Sequence, residues 1–280
     1  MTLNPKLLKT GPKVPLFMTV PHSGEEIPPE APWLKGLSRD VLLLDVDRFV
    51  TQLYEPTVIE LEIPWVSTRT HRYAVDLNRY PDDVDQDSVE GAPEPSGTFS
   101  TGFHWVKTTR GHVLMQKSIS PAQHELFVKK YHDPFHVEIA DVVGVLRKRF
   151  IGMPIYHLDC HSMPSKGTDA HRDVGRVRAE VVISDVYGKS ASPEFKDRVM
   201  NAFRGEGFEV AYNWPYSGGR ITQRYGQPMN GHHSIQVELN RKLYLDETSR
   251  EKLPGFPLFQ MRLKAVMGLV VEGIAALHAP

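Results

Sequence analysis

The chain has 280 residues, 40% of them apolar and 24% charged, a balance that fits one large globular α/β unit or two small ones. Thirty-three Lys and Arg against thirty-four Asp and Glu leave a net charge of −1, so no basic excess points to nucleic acid or to an anionic membrane surface. The single cysteine, Cys160, excludes an internal disulfide and a cysteine-rich zinc cluster and suits a reducing cytoplasm.

In chain order, the first thirteen residues carry charges with no apolar run behind them, so no signal peptide is expected. Val14–Val20 reads as a strand ended by Pro21. The residues Ser38–Leu53 read as a helix carrying a knot of Asp45, Asp47 and Arg48, which can be an ion pair or a support for a nearby site. Trp65–Thr68 and the alternation Tyr73, Val75, Leu77 read as strands. Tyr80–Gly102, rich in Pro, Gly, Ser and Asp, reads as a long surface loop. A helix is predicted from about Pro121 to Phe150, with Ile139, Val142, Val143, Leu146 and Phe150 facing a core. Strands at Pro154–Asp159, Glu180–Ser184, Glu209–Tyr212 and His233–Leu239 alternate with a helix at Pro193–Phe203. The chain closes on an amphipathic helix, Leu258–Leu277, whose greasiest run is too short and too charged to span a membrane. The expected fold is a single domain over residues 1–280, a three-layer αβα sandwich around a central mixed, mostly parallel sheet. In such sheets the chemistry sits beyond the strand ends.

Several motifs fail. No G-x-S-x-G elbow and no G-x-G-x-x-G occurs, and Gly188-Lys189-Ser190 lacks the glycine that a phosphate loop needs at Ile183. His124-Glu125 starts like H-E-x-x-H but meets Val128 where the second His belongs. Four polar clusters remain at predicted strand ends. Pro21-His22-Ser23-Gly24-Glu25 offers an imidazole and a carboxylate, both suited to a transition ion, although H-x-x-E alone is common by chance. His157-Leu158-Asp159-Cys160-His161-Ser162 puts His157, Asp159 and His161 on one strand face; for a lone His the ordinary reading is a satisfied core residue. Asp76-Leu77-Asn78-Arg79 ends one strand. Glu238, between Val237 and Leu239, is a carboxylate whose desolvation demands a partner or a task. Arg69 and Arg72 lie just upstream of the Asp76–Arg79 segment, and the ordinary reading of either is a surface arginine. Cys160 reads as packing.

Taken together, P-H-S-G-E, D-L-N-R, H-x-D-C-H-S, P-Y-x-G-G-x-I-T-x-x-Y-G-x-P and V-E-L-N-R resemble the bacterial N-formylglutamate amidohydrolases from about Val14 to Asp246. Their order also resembles zinc carboxypeptidases and aspartoacylases, related to that family in fold. The resemblance implies His22, Glu25 and His161 as zinc ligands and Asp76 as the partner of the far nitrogen of a ligand His, His22 above all. It further implies Asn78 and Arg79 as holders of a substrate α-carboxylate, Glu238 as the general base, and Arg69 or Arg72, with Arg72 preferred, as the cation facing the developing oxyanion. Tyr216, Gly218 and Gly219 fall on a substrate-side loop, with Tyr216 a donor; the same run is also simply a good turn. Arg220 and Arg224 are candidates for reading a γ-carboxylate. The expected partner is therefore a small N-acyl amino acid, N-formyl-L-glutamate first, hydrolysed to formate and L-glutamate as a step in histidine degradation. A formyl or acetyl aspartate is the nearest alternative. A catalytically silent binding protein and a hydrolase of longer peptides are the rivals of other classes. A silent relative would be expected to lack Glu238 or one ligand.

Overall fold

The computed structural model describes residues 11–85, 87–92 and 101–278. The part of the long loop expected at Tyr80–Gly102 that comprises residues 86 and 93–100 lies outside them. Six strands form one sheet: β1 (Leu16–Val20), β2 (Trp65–Ser67), β3 (Ile155–Met163), β4 (Val181–Ser184), β5 (Val210–Tyr212) and β6 (His232–Asn240). Their order is β2-β1-β3-β6-β4-β5. The first four in that order run parallel, and β4 pairs antiparallel with β6 and parallel with β5. The helices are α1 (Arg39–Leu42), α2 (Val50–Glu60), α3 (Pro121–Phe127), α4 (Asp133–Arg149), α5 (Pro193–Gly205), α6 (Arg220–Tyr225) and α7 (Phe256–Leu277). No described helix is long and apolar enough to cross a membrane.

The pleat sorts the strand residues between two helical layers. Leu16, Met18, Leu158, Cys160, Val237 and Leu239 face α2, α5 and α7, and α7 adds Leu263, Val266, Val270 and Ile274 at helical spacing. Phe17, Val66 and Ile155 face the other way, toward Phe127 of α3 and Phe135, Ile139, Val142 and Leu146 of α4. Past them that second face turns polar along β3 and β6, while both strands stay buried throughout.

The structure corrects four local expectations. Tyr73–Leu77 is not a strand but a series of turns closed by Ala74 N–H to His71 O and Arg79 N–H to Asp76 O. Its apolar side chains reflect burial in the second cluster rather than sheet pairing. Ser38–Leu53 is not one helix, because the chain leaves helical geometry over residues 43–49. Phe49 there takes a positive φ of 68°, and Asp47 N–H bonds the carbonyl of His22 instead of a helical neighbour. The helix from Pro121 to Phe150 is interrupted by a π turn at Val128–His132, just before Pro134, which has no N–H to offer. His161 lies inside β3, which runs on to Met163, rather than where strand meets loop.

Candidate active site

β1 ends at Val20, and His22 follows two residues later over the carboxyl edge of the parallel strands. His161 of β3 stands in register opposite Glu238 of β6, and Asp159 opposite Gln236. The Asp47 N–H···O=C His22 bond, 2.9 Å long, brings the broken helix of residues 39–49 against the same spot. His22, Asp47 and His161 thereby converge, each buried, with ligand atoms within 4.8 Å of one another. Asp47 Oδ2 lies 3.1 Å from His161 Nδ1 and 3.5 Å from His22 Nδ1.

The hydrogen bonds fix what these atoms can do. Asp76 accepts His22 Nε2 at 2.7 Å, the Asn78 N–H, Arg72 Nη2 and the Trp105 indole N–H. A carboxylate so supplied with donors stays ionised, and burial notwithstanding, His22 and Arg72 hold it well below the usual range. His22 Nε2 therefore carries the ring proton, and Nδ1 presents a lone pair. That Nδ1 is buried and has no hydrogen-bond partner among the described residues. His22, Asp47 and His161 are a group that could hold a metal ion between these atoms. On the far side of His161, Asp159 Oδ2 lies 3.0 Å from Nε2, off the hydrogen-bonding direction, while Asp159 Oδ1 accepts the Thr19 hydroxyl at 2.7 Å. His22 is thus backed by a hydrogen-bonded carboxylate, the usual support for a ligand histidine, and His161 has the Asp159 carboxylate beside it. Burial pulls the His161 pKa down, but Asp159 and Asp47 outweigh it and raise it well above the ordinary value. The donor set of two imidazoles and one carboxylate fits a divalent transition ion with coordination positions to spare.

Glu25 is not brought to this cluster. Its Oε1 accepts Arg48 Nε at 2.8 Å, and its side chain is 40% exposed. The reason is local: after His22 the chain is extended, and Glu26 N–H and His71 N–H lace it to residues 69–71. Side chains three apart in an extended segment leave on opposite sides, whereas they share a side only in a helix. Asp47, not Glu25, is the carboxylate that lies with His22 and His161.

The cavity beside the cluster has a volume of about 470 Å³, and Arg72, Asn78, Arg79, Tyr216, Gly219 and Glu238 all line it. Burial, with the charge of Asp47 added, raises the Glu238 pKa against the opposing pull of His161. Arg72 lies 4.6 Å over the Trp105 ring, bonds the Asp45 carbonyl and Asp76, and approaches Asp47 Oδ1 at 4.0 Å. Arg69 is on the surface, paired with Glu26. Asn78 Oδ1 accepts the Ile221 N–H, and Arg79 Nη1 bonds the Asn78 carbonyl at 2.7 Å. Tyr216 Oη accepts Arg178 Nη1 at 3.0 Å and sits 3.1 Å from His171 Nε2. A Cβ on Gly219 would fall 2.4 Å from Asn78 Nδ2, so only glycine lets this loop lie against Asn78. Arg220 pairs with Asp83 outside the cavity lining, and Arg224 lies beside the Tyr225 ring, also outside it.

Sequence reasoning gave no role to Arg241, Gln236 or His171, and left Asp47 open. Arg241 Nη2 lies 3.2 Å from Asp47 Oδ1, and its other nitrogens bond Ser162 Oγ and the Leu44 carbonyl. The signal available was a buried-looking D-V-D among leucines, which says that a carboxylate needs a partner without saying which.

The chain is 28% identical over 239 residues to the N-formylglutamate deformylase of Pseudomonas aeruginosa, and 26% over 240 residues to that of Pseudomonas putida, with 84% of both chains covered in each case. Its fold is similar to the crystal structure of N-formylglutamate amidohydrolase from Ralstonia eutropha JMP134, with a TM-score of 0.85 and 27% identity, covering 95% of this chain and 96% of that one. The family model described as N-formylglutamate amidohydrolase matches residues 14–245, and the chain belongs to that family.

Proposed function

We propose that the protein hydrolyses the formamide bond of N-formyl-L-glutamate to formate and L-glutamate, with a zinc ion held by His22 Nδ1, Asp47 Oδ2 and His161. The observation that carries the reading is the buried Nδ1 of His22 facing Asp47, beside His161, which stands in register opposite Glu238. When bound, such an ion supplies Lewis acidity toward the formyl oxygen and toward the attacking water.

This chain's own side chains do the rest. Glu238 accepts a proton from the water as the new C–O bond forms, then returns it to the amide nitrogen as the C–N bond breaks, so that an amine and formate separate. Arg72 keeps positive charge beside the cluster, on the side where negative charge grows on the carbonyl oxygen. Asn78 and Arg79 face the α-carboxylate, for which a guanidinium is suited by its paired N–H groups. Tyr216 stays protonated because burial and nearby Glu238 raise its pKa, and so acts as a donor to the substrate. A cavity of this size suits a small N-acyl amino acid rather than a peptide chain.

The test is formate release from N-formyl-L-glutamate by zinc-loaded protein, beside N-formyl and N-acetyl aspartate. Turnover should vanish on removing the metal with a chelator and return with zinc. Activity that survives complete metal removal defeats the mechanism, and preference for an aspartate derivative moves the substrate assignment.

A further inference from the structure

Gln236 lies two residues before Glu238 on β6, on the same face, and is buried. Its Oε1 accepts the Gly219 N–H at 2.6 Å, and its Nε2 donates to Glu238 Oε1 at 2.8 Å. The first bond fixes the amide: only its oxygen can accept a backbone N–H, so its nitrogen must face the carboxylate. No other hydrogen bond to the Glu238 carboxylate is made among the described residues. Gly219 is also pressed against Asn78, whose Oδ1 accepts Ile221 N–H and whose own N–H bonds Asp76, the carboxylate behind His22. A continuous path therefore runs from the His22 imidazole through Asp76, Asn78 and the Gly219 turn to Gln236 and Glu238.

We propose that Gln236 is a positioning residue for the base. It holds Oε1 of Glu238, so that Oε2 is the oxygen presented to the water, and it ties that orientation to the loop carrying Tyr216 and Gly219. A free glutamate side chain samples several rotamers, and a base that must lie within hydrogen-bonding reach of one water loses rate when it does so. The assignment rests on the hydrolase reading of the site.

The experiment is Gln236→Leu, which keeps the volume and removes both bonds, assayed for kcat, KM and bound zinc with N-formyl-L-glutamate. The expected result is a fall in kcat of about tenfold or more, with KM within about twofold and zinc content unchanged. In a Glu238→Gln background the same substitution should leave the residual rate unchanged, because both act through one carboxylate. A kcat within about twofold of the parent overturns the proposal, as does a loss in the Glu238→Gln background equal to that in the parent. Should Gln236→Leu not fold, Gln236→Met carries the same comparison. If the parent turns over no formyl amino acid, the functional reading fails by itself, and the side-chain amide resonances of Gln236 decide the tether. They should be protected from exchange and should move on Glu238→Ala; resonances indifferent to that change overturn it.

Discussion

Along β3 the even-numbered Tyr156, Leu158 and Cys160 join α2, α5 and α7 in one apolar cluster, while His157, Asp159 and His161 line the opposite face. β6 repeats the division with Ile235, Val237 and Leu239 on one side and Ser234, Gln236 and Glu238 on the other. Both faces are equally buried, so burial does not separate them. What differs is how each is held. The apolar face is held by contact area, which is non-directional and tolerates exchange of similar volumes. The polar face is held by bonds of fixed length and partner, some of which span distant parts of the chain, as His22 to Asp76 and Thr19 to Asp159 do. Changes on the first face should cost stability and spare chemistry, and changes on the second should do the reverse.

The sharpest way to break that division is Glu238→Gln, which keeps shape and removes the base. We expect kcat to fall by about 10²–10⁴-fold with zinc content unchanged. Loss of the metal instead would make Glu238 a ligand. Next in size is Asp47→Ala against Glu25→Ala. The first should weaken zinc binding by about 100-fold or more, beyond what loss of a supporting carboxylate does. The second removes a half-exposed ion pair with Arg48 and should leave kcat/KM within about threefold. Metal titration of the two variants checks this, and the opposite ranking would restore Glu25 as the ligand. On the apolar face, Leu158→Ala should destabilise the protein by about 2–5 kcal/mol in denaturant unfolding while kcat at low temperature holds. A fall in kcat at unchanged stability would join the two faces into one functional unit.

The same contrast explains what could be read from the residues. The apolar face is written locally: short apolar strand runs interleaved with helices, the last of them the amphipathic Leu258–Leu277, predict the layers and the mixed sheet that the structure has. Glu238 stands out in the sequence because a carboxylate among buried neighbours needs a reason, whereas the roles of His161 and Asp76 come from the family resemblance. Asp47 reads from the sequence only as an ion pair or a support, because its placement depends on a backbone bond to His22 twenty-five positions earlier, and on a helix that stops where its pattern predicts continuation. Tyr73–Leu77 misled for the complementary reason. Its alternation is real, but Asp76 closes a turn onto the Asn78 N–H, and that short-range bond outcompetes strand pairing.

His157 provides the smallest effect and the finest test of the polar face. It stacks on Phe17 at 4.3 Å, and its nitrogens meet Thr19 Oγ1 at 2.9 Å and Ser234 Oγ at 2.8 Å. Since the Thr19 hydroxyl proton goes to Asp159, Nε2 of His157 must donate to Thr19, and in the neutral ring Nδ1 then accepts from Ser234. Burial pulls its pKa down to about 3; Asp159 draws it upward, and His232 and His161 push it lower. In the unfolded chain the ring titrates near about 6.5, so on acidification the unfolded state takes up the proton first. The neutral ring's contribution to stability is therefore complete above that pH and is lost as the pH falls from there toward 3. His157→Gln should flatten the dependence of unfolding free energy on pH across this window by up to about 1.4 kcal/mol per pH unit, the slope of one proton. Denaturant unfolding of parent and variant between about pH 4 and 7 reads the difference directly. Equal slopes would mean that the ring is already charged in the folded protein, and that the polar face carries its charge by pairing with Asp159 rather than by neutral hydrogen bonds.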